Sequence, residues 1–234
     1  MAWIVGKNIA DNILGTSARD NISGLAGDDL IDGAGGDDEI SGDGGHDTIY
    51  GGAGNDRIVG GTGNDIIYGG SGRDTLWGCS GADVFAYASV TDSLVSAKDS
   101  IKDFDFADTI NLSAIDAVTG GGDDAFTFIG AANFTGAAGQ LHYVVTGLSS
   151  VRIEGDVNGD AVADFAIDVV GVAQPITLAD LWSRCLVPKS RGASTTNCHK
   201  DLSPLIAAPQ NALGIAQSHR RASDAAGATG GIRG

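Results

Sequence analysis

Nine aspartates stand nine residues apart, at Asp11, Asp20, Asp29, Asp38, Asp47, Asp56, Asp65, Asp74 and Asp83. Two positions after each comes a large apolar residue, from Ile13 through Ile67 to Leu76 and Phe85, and five positions before each sits a glycine, from Gly6 to Gly78. A short fixed period of this kind restricts the fold more than any local propensity. One nine-residue unit cannot bury its single apolar side chain alone, so units must stack and share a core. The three residues after each Asp read as a short strand whose alternation sends the middle side chain inward.

The central units, residues 51–59, 60–68 and 69–77, read G-G-x-G-x-D-x-U-x, where U is a large apolar residue. This is the nonapeptide of calcium-binding parallel β-helices. The glycines permit positive φ and close backbone approach, so carbonyl oxygens can turn toward an ion. Calcium takes six to eight oxygen ligands at about 2.3–2.6 Å and accepts carbonyls and carboxylates alike. A glycine-rich acidic linker has a similar composition, but a linker has no reason to keep an apolar residue in phase with an Asp.

On these residues the chain resembles the RTX (repeats-in-toxin) family, whose fold is a parallel β-roll. The resemblance implies two nonapeptides per coil, with calcium between a turn and the next but one. One edge would then pair Asp29 with Asp47, Asp47 with Asp65 and Asp65 with Asp83. The other would pair Asp20 with Asp38, Asp38 with Asp56 and Asp56 with Asp74. The expected metal ligands are therefore Asp20, Asp29, Asp38, Asp47, Asp56, Asp65, Asp74 and Asp83, holding about six Ca2+ ions. The turns ending at Asp11 and Asp20 lack the second and third glycines and read as an end cap. His46, at the variable fifth position of its turn, reads as a solvated residue.

Charge supports a cation-binding role. Residues 1–182 hold 28 of the 30 acids and 7 of the 14 Lys and Arg, a net -21, whereas residues 183–234 carry +5. The acidic part is a poor partner for nucleic acid or an anionic membrane. Facing carboxylates repel by a few kcal/mol each at an effective dielectric near 20. Each calcium site instead adds about 1.4 kcal/mol when calcium is tenfold above Kd. The expectation is a chain unfolded at cytosolic calcium that folds outside the cell. No apolar run is long enough to span a membrane.

Past the repeats, residues 99–113 read D-S-I-K-D-F-D-F-A-D-T-I-N-L-S. This is similar to the C-terminal domain of serralysin-type metalloproteases (the peptidase M10 C-terminal family), with Ala107 in place of a glycine and Asn111 in place of an acid. Residues 141–145, 150–154 and 164–170 alternate between turns rich in Gly, Asn and Asp, and read as antiparallel strands packed on the end of the roll. Asp99 and Asp103 are either additional ligands or surface acids. Asp156, Asn158, Asp160 and Asp164 have the spacing of an EF-hand loop start, but Ala161 and Ile167 stand where that loop needs Gly and Glu. A metal-free hairpin turn is the reading there.

The whole is expected to be all-β: a calcium-binding β-roll over residues 4–86, an antiparallel β cap over 87–182 and a disordered tail over 183–234. The family resemblance implies type I secretion through a C-terminal signal, although here the tail runs past the usual end. No enzyme is expected. None of His46, His142, His199 and His219 is followed by Glu, so the H-E-x-x-H zinc signature is missing, and no nucleophile elbow or phosphate loop occurs. Two readings follow. One is a secreted calcium-binding β-roll protein with a structural or adhesive role. The alternative is the noncatalytic C-terminal module of a secreted metalloprotease or polysaccharide-modifying enzyme.

Overall fold

The computed structural model describes residues 1–120 and 124–171. Each nonapeptide supplies one strand, because the residues flanking U are free of Gly and Pro. Successive strands alternate between two sheets. In the first, β1 (Ala2–Val5), β3 (Asp20–Ser23), β5 (Glu39–Gly44), β7 (Arg57–Thr62) and β9 (Thr75–Ser80) lie side by side. In the second are β2 (Asn12–Leu14), β4 (Leu30–Asp32), β6 (Thr48–Ala53), β8 (Ile66–Ser71) and β10 (Val84–Ala86). All these pairings are parallel, with Ile22 opposite Ile40, Ile40 opposite Ile58 and Ile31 opposite Ile49. Partners are therefore 18 residues apart, and one coil consumes two nonapeptides.

This register stacks the apolar residues into two columns. Ile22, Ile40, Ile58 and Leu76 form one, and Ile31, Ile49, Ile67 and Phe85 the other; all are fully buried in a common core. Apolar side chains of similar size at equivalent positions fill each column, and in these columns the roll buries its core residues.

Both columns continue past the last repeat. After a connection containing a 3-10 turn at Val90–Ser93, β11 (Asp99–Ile101) adds to β9 and β12 (Thr109–Asn111) adds to β10. Ile101 lies opposite Leu76 and Ile110 opposite Phe85, both buried. These strands lie beyond residue 86, the expected end of the roll, and complete another coil from non-repetitive sequence.

The expected antiparallel strands are β14 (Gln140–Gly147), β15 (Ser150–Asp156) and β16 (Phe165–Val170). β14 pairs with β15 and β15 with β16, antiparallel in each case, and β13 (Thr127–Phe128) flanks β14. They are hydrogen-bonded into the roll as well as packed on its end, since β16 runs parallel to β11 with Ile101 opposite Val169. The first sheet thus passes without a break from roll to cap. The expected disordered tail, residues 183–234, and the end of the expected cap lie outside the described residues. Among the described residues no helix is long and apolar enough to cross a membrane.

Candidate metal centre

In each turn from residue 24 onward the first glycine lies against the Asp five residues later. A Cβ built on Gly33 would stand 2.8 Å from Asp38 Oδ2 and 2.5 Å from the Gly51 carbonyl oxygen. On Gly51 it would stand 2.6 Å from Asp56 Oδ2 and also against the Gly69 carbonyl. Each such glycine keeps open a small space faced by a carboxylate oxygen and, from Gly24 to Gly60, by a carbonyl of the next coil.

The second position of these turns is left-handed. Gly52, Gly61 and Gly70 occupy it, and so do Leu25, Ala34 and Asp43 at φ between 68° and 76°. A side chain costs roughly 1–2 kcal/mol in this region. Ala34→Gly is expected to stabilise the roll by about 1 kcal/mol, because the strain removed exceeds the added unfolded-state entropy. Denaturant melts in saturating calcium measure this, and a lower midpoint for the variant would contradict it.

The aspartates form two ladders, one along each edge. On one, Asp11 N–H donates to Asp29 Oδ1, Asp29 to Asp47, Asp47 to Asp65 and Asp65 to Asp83, at 2.7–2.9 Å. On the other, Asp20 N–H donates to Asp38 Oδ1, Asp38 to Asp56 and Asp56 to Asp74, each at 2.8 Å. The structure therefore brings together the aspartates that the period aligns. Asp99 and Asp108 extend the ladders beyond the repeats, accepting the amides of Asp74 (2.8 Å) and Asp83 (3.1 Å). Asp103 does something else: it accepts the Gly78 and Cys79 amides.

The second carboxylate oxygen separates the rungs. Oδ2 of Asp29, Asp38, Asp47, Asp56, Asp65, Asp74, Asp83 and Asp99 is buried without any hydrogen-bond partner. Leaving a buried carboxylate oxygen unpartnered is costly unless something positive meets it. The N-terminal rungs differ. Asp20 Oδ2 accepts the Thr16 amide (2.7 Å) and hydroxyl (2.8 Å), and Asp11 Oδ2 accepts the Lys7 amide (2.5 Å). Neither Lys7 nor Thr16 has positive φ, so in these two turns the second-position amide reaches the carboxylate. Asp20, expected as a ligand, has its oxygen occupied by the protein itself.

Electrostatics follow the same division. The Thr16 hydroxyl holds Asp20 below the usual carboxylate range. Burial raises Asp29 and Asp38, and pushes Asp47, Asp56, Asp74 and Asp83 to about 7 and Asp65 to about 6, against the opposing pull of the ladder hydrogen bonds. These carboxylates are held together at a cost that a proton or a cation relieves.

Oxygen chemistry distinguishes the cation. Among the described residues no three His, Cys, Asp or Glu side chains converge as a zinc-type site requires. Each rung instead offers one carboxylate oxygen and a nearby main-chain carbonyl, a donor set that fits calcium. When bound, the ion supplies positive charge to the orphaned oxygens and ties neighbouring turns together. His142 is committed to the fold, with Nδ1 facing the Ala132 carbonyl (2.8 Å) and Nε2 facing Glu154 (2.9 Å).

A second, outer ladder was not legible from the period. His46 N–H donates to Asp28, Asn64 N–H donates to His46 Nδ1 (2.8 Å) and Ala82 N–H donates to Asn64 Oδ1 (2.9 Å). His46 is thus exposed, as expected, yet acts as an acceptor linking coils. In the EF-hand-like stretch, Asp156 accepts the Gly159 and Ala161 amides, and Asp164 accepts the Val157 amide and the Asn158 side chain. These groups close a turn.

Residues 14–49 and 50–85 match the family of the RTX calcium-binding nonapeptide repeat (4 copies). No curated protein shows a significant match to the chain. Among solved structures, the AlgE6R2 subunit from the Azotobacter vinelandii mannuronan C5-epimerase is 24% identical, with 81% of this chain and 94% of that chain covered and a TM-score of 0.36. The AlgE6R3 subunit of the same enzyme is 21% identical, with 82% and 91% covered and a TM-score of 0.29. The matching repeat is a calcium-binding element, in keeping with ladders whose carboxylates face glycine turns. Two stacked aspartate ladders, a positive-φ glycine in each turn from residue 24 onward and the family match together make residues 14–85 an RTX calcium-binding β-roll.

Proposed function

We propose that this chain is a calcium-dependent folding module that works outside the cell in a structural or adhesive role. The observation that carries the reading is the row of buried, unpartnered Oδ2 atoms on seven successive repeat aspartates. Within the repeats, neighbouring unpartnered oxygens define five sites. Three lie on one edge, between Asp29 and Asp47, Asp47 and Asp65, and Asp65 and Asp83. Two lie on the other, between Asp38 and Asp56 and between Asp56 and Asp74. The pairing of Asp20 with Asp38 is left out, because Thr16 already serves Asp20.

Calcium modules of extracellular type bind at about 10⁻⁴–10⁻³ M, far above cytosolic levels, so such a roll stays open inside a cell and closes outside it. The outer face of the second sheet supports an adhesive role. Tyr50 and Tyr68 stack there at 4.7 Å, beside the exposed Leu30 and Ile66. A calcium titration followed by far-UV circular dichroism tests the location. The expected midpoint lies between about 0.1 and 1 mM; a midpoint below a micromolar would place folding inside the cell and overturn the reading.

A further inference from the structure

The two ends of the roll are finished differently. At the C-terminal end the apolar columns run on through Ile101 and Ile110, both buried in a core shared with the cap. At the other end the columns stop at Ile4 and Ile13. Ile4 is only partly buried, and around it Trp3 (50% exposed), Val5 (52%), Ile9 (60%) and Leu14 (67%) stand in solvent. The first two turns serve their own aspartates through Lys7 and Thr16, yet they leave this apolar end open. A solenoid's terminal repeats need a polar outer face to stay soluble by themselves.

The backbone is open at the same end. β1 and β2 are the outermost strands of the two sheets, and among the described residues no strand pairs with their outer edges. Such an edge presents free N–H and C=O groups to any strand that can reach them. Natural edges are commonly guarded by Lys or Pro, but Ala2–Val5 and Asn12–Leu14 contain neither.

Charge and geometry select the occupant. The chain carries a formal -16, whereas residues 1–19 hold one acid, Asp11, against Lys7 and Arg19, a net +1. Two copies of an acidic chain therefore repel least where these ends meet. The two sheets face each other across the common core, so one twofold axis running from sheet to sheet extends both at once. It sets β1 antiparallel to β1 of the second copy and β2 antiparallel to β2, and it covers Ile4 and Ile13 with their counterparts. The cap then lies at the far end of each copy, so the contact closes as a pair and does not propagate.

We propose that the N-terminal end of the roll is a self-association surface, on which a second copy of this chain continues both sheets through antiparallel pairing of β1 and β2. The proposal rests on the calcium reading in one respect: the edge exists only once the roll has folded.

Sedimentation equilibrium of the full chain in millimolar calcium, across the micromolar range, tests it, with circular dichroism reporting the fold. The wild type is expected to show a reversible monomer–dimer equilibrium. Val5→Lys and Leu14→Lys, both at exposed positions, are each expected to raise the dimer Kd by about tenfold or more while leaving the spectrum unchanged. Leu148→Lys, on the exposed β14–β15 connection, is expected to leave the dimer as it is. A folded wild type that stayed monomeric would overturn the proposal and leave the calcium reading standing. A dimer insensitive to both edge substitutions, or open-ended assemblies, would overturn it as well. A chain that stayed unfolded in calcium would overturn the calcium reading and this one with it.

Discussion

In chelator the roll is expected to melt at a higher temperature at pH 5 than at pH 8, and millimolar calcium is expected to reverse that order. The sign follows from the ladder carboxylates. Burial raises the folded-state values of Asp47, Asp56, Asp74 and Asp83 to about 7, above the ordinary carboxylate value of 3.8. Between those limits the folded, metal-free chain binds more protons than the unfolded chain, so its stability falls as pH rises. The favourable contribution is complete below about pH 4 and lost by about pH 7 to 8. Calcium needs the same oxygens deprotonated, so its contribution grows across the same window. Circular-dichroism melts from pH 5 to 8, with EDTA and with calcium, read the effect directly. At pH 8 in EDTA the β signal of the repeats is expected to be largely gone. A melting temperature that rose with pH in EDTA would show that the carboxylates are not buried as described.

Gly63→Ala is expected to cost about 3 kcal/mol or more and to remove calcium from the two neighbouring sites on its edge. Gly63 has φ +128°, and a Cβ there would run into the backbone carbonyl of Gly45 in the preceding coil. Backbone cannot rotate aside, so the coils must separate, and the Asp47–Asp65 step opens with them. Gly35→Ala is the control. Its Cβ would meet Ala53 O at an ordinary 3.5 Å, and the corresponding position of the next turn on that edge is Ala53 itself. That change should stay within about 0.5 kcal/mol. Denaturant unfolding and calcium calorimetry on both variants check the pair, and comparable losses would refute the close-stacking argument.

The period made the coil, both apolar columns and the ladder partners legible, because each depends only on phase. Ile40 meets Ile58 for the same reason that Asp38 meets Asp56. What phase does not encode is whether a second oxygen is free. Asp20 and Asp38 are equivalent in spacing, yet Thr16 serves one and nothing serves the other. The difference lies in the backbone at a single residue, which nonglycine side chains obscure: Thr16 is not left-handed, whereas Ala34 is. Asp108 was missed for a different reason. Asp99 and Asp108 are again nine apart, each two before an Ile, but a connection inserted after Tyr87 shifts them out of frame. The resumed spacing was the available signal. The outer ladder through His46 and Asn64 had none, since a histidine and an amide share the acceptor role without sharing a residue type.

The inner ladders also have a direction. Every rung lends its carboxylate to the amide of the rung before it, and the last two repeat rungs receive theirs from Asp99 and Asp108, on the non-repetitive coil next to the cap. The support therefore runs from the C-terminal end toward the N-terminal one. A ribosome delivers the chain in the opposite order, repeats first and their foundation last. The growing polypeptide thus carries its whole row of aspartates before it possesses the strand on which that row is seated. In a solenoid whose coils are stabilised by their neighbours, this order favours assembly that spreads backward from the cap once its strand has been made.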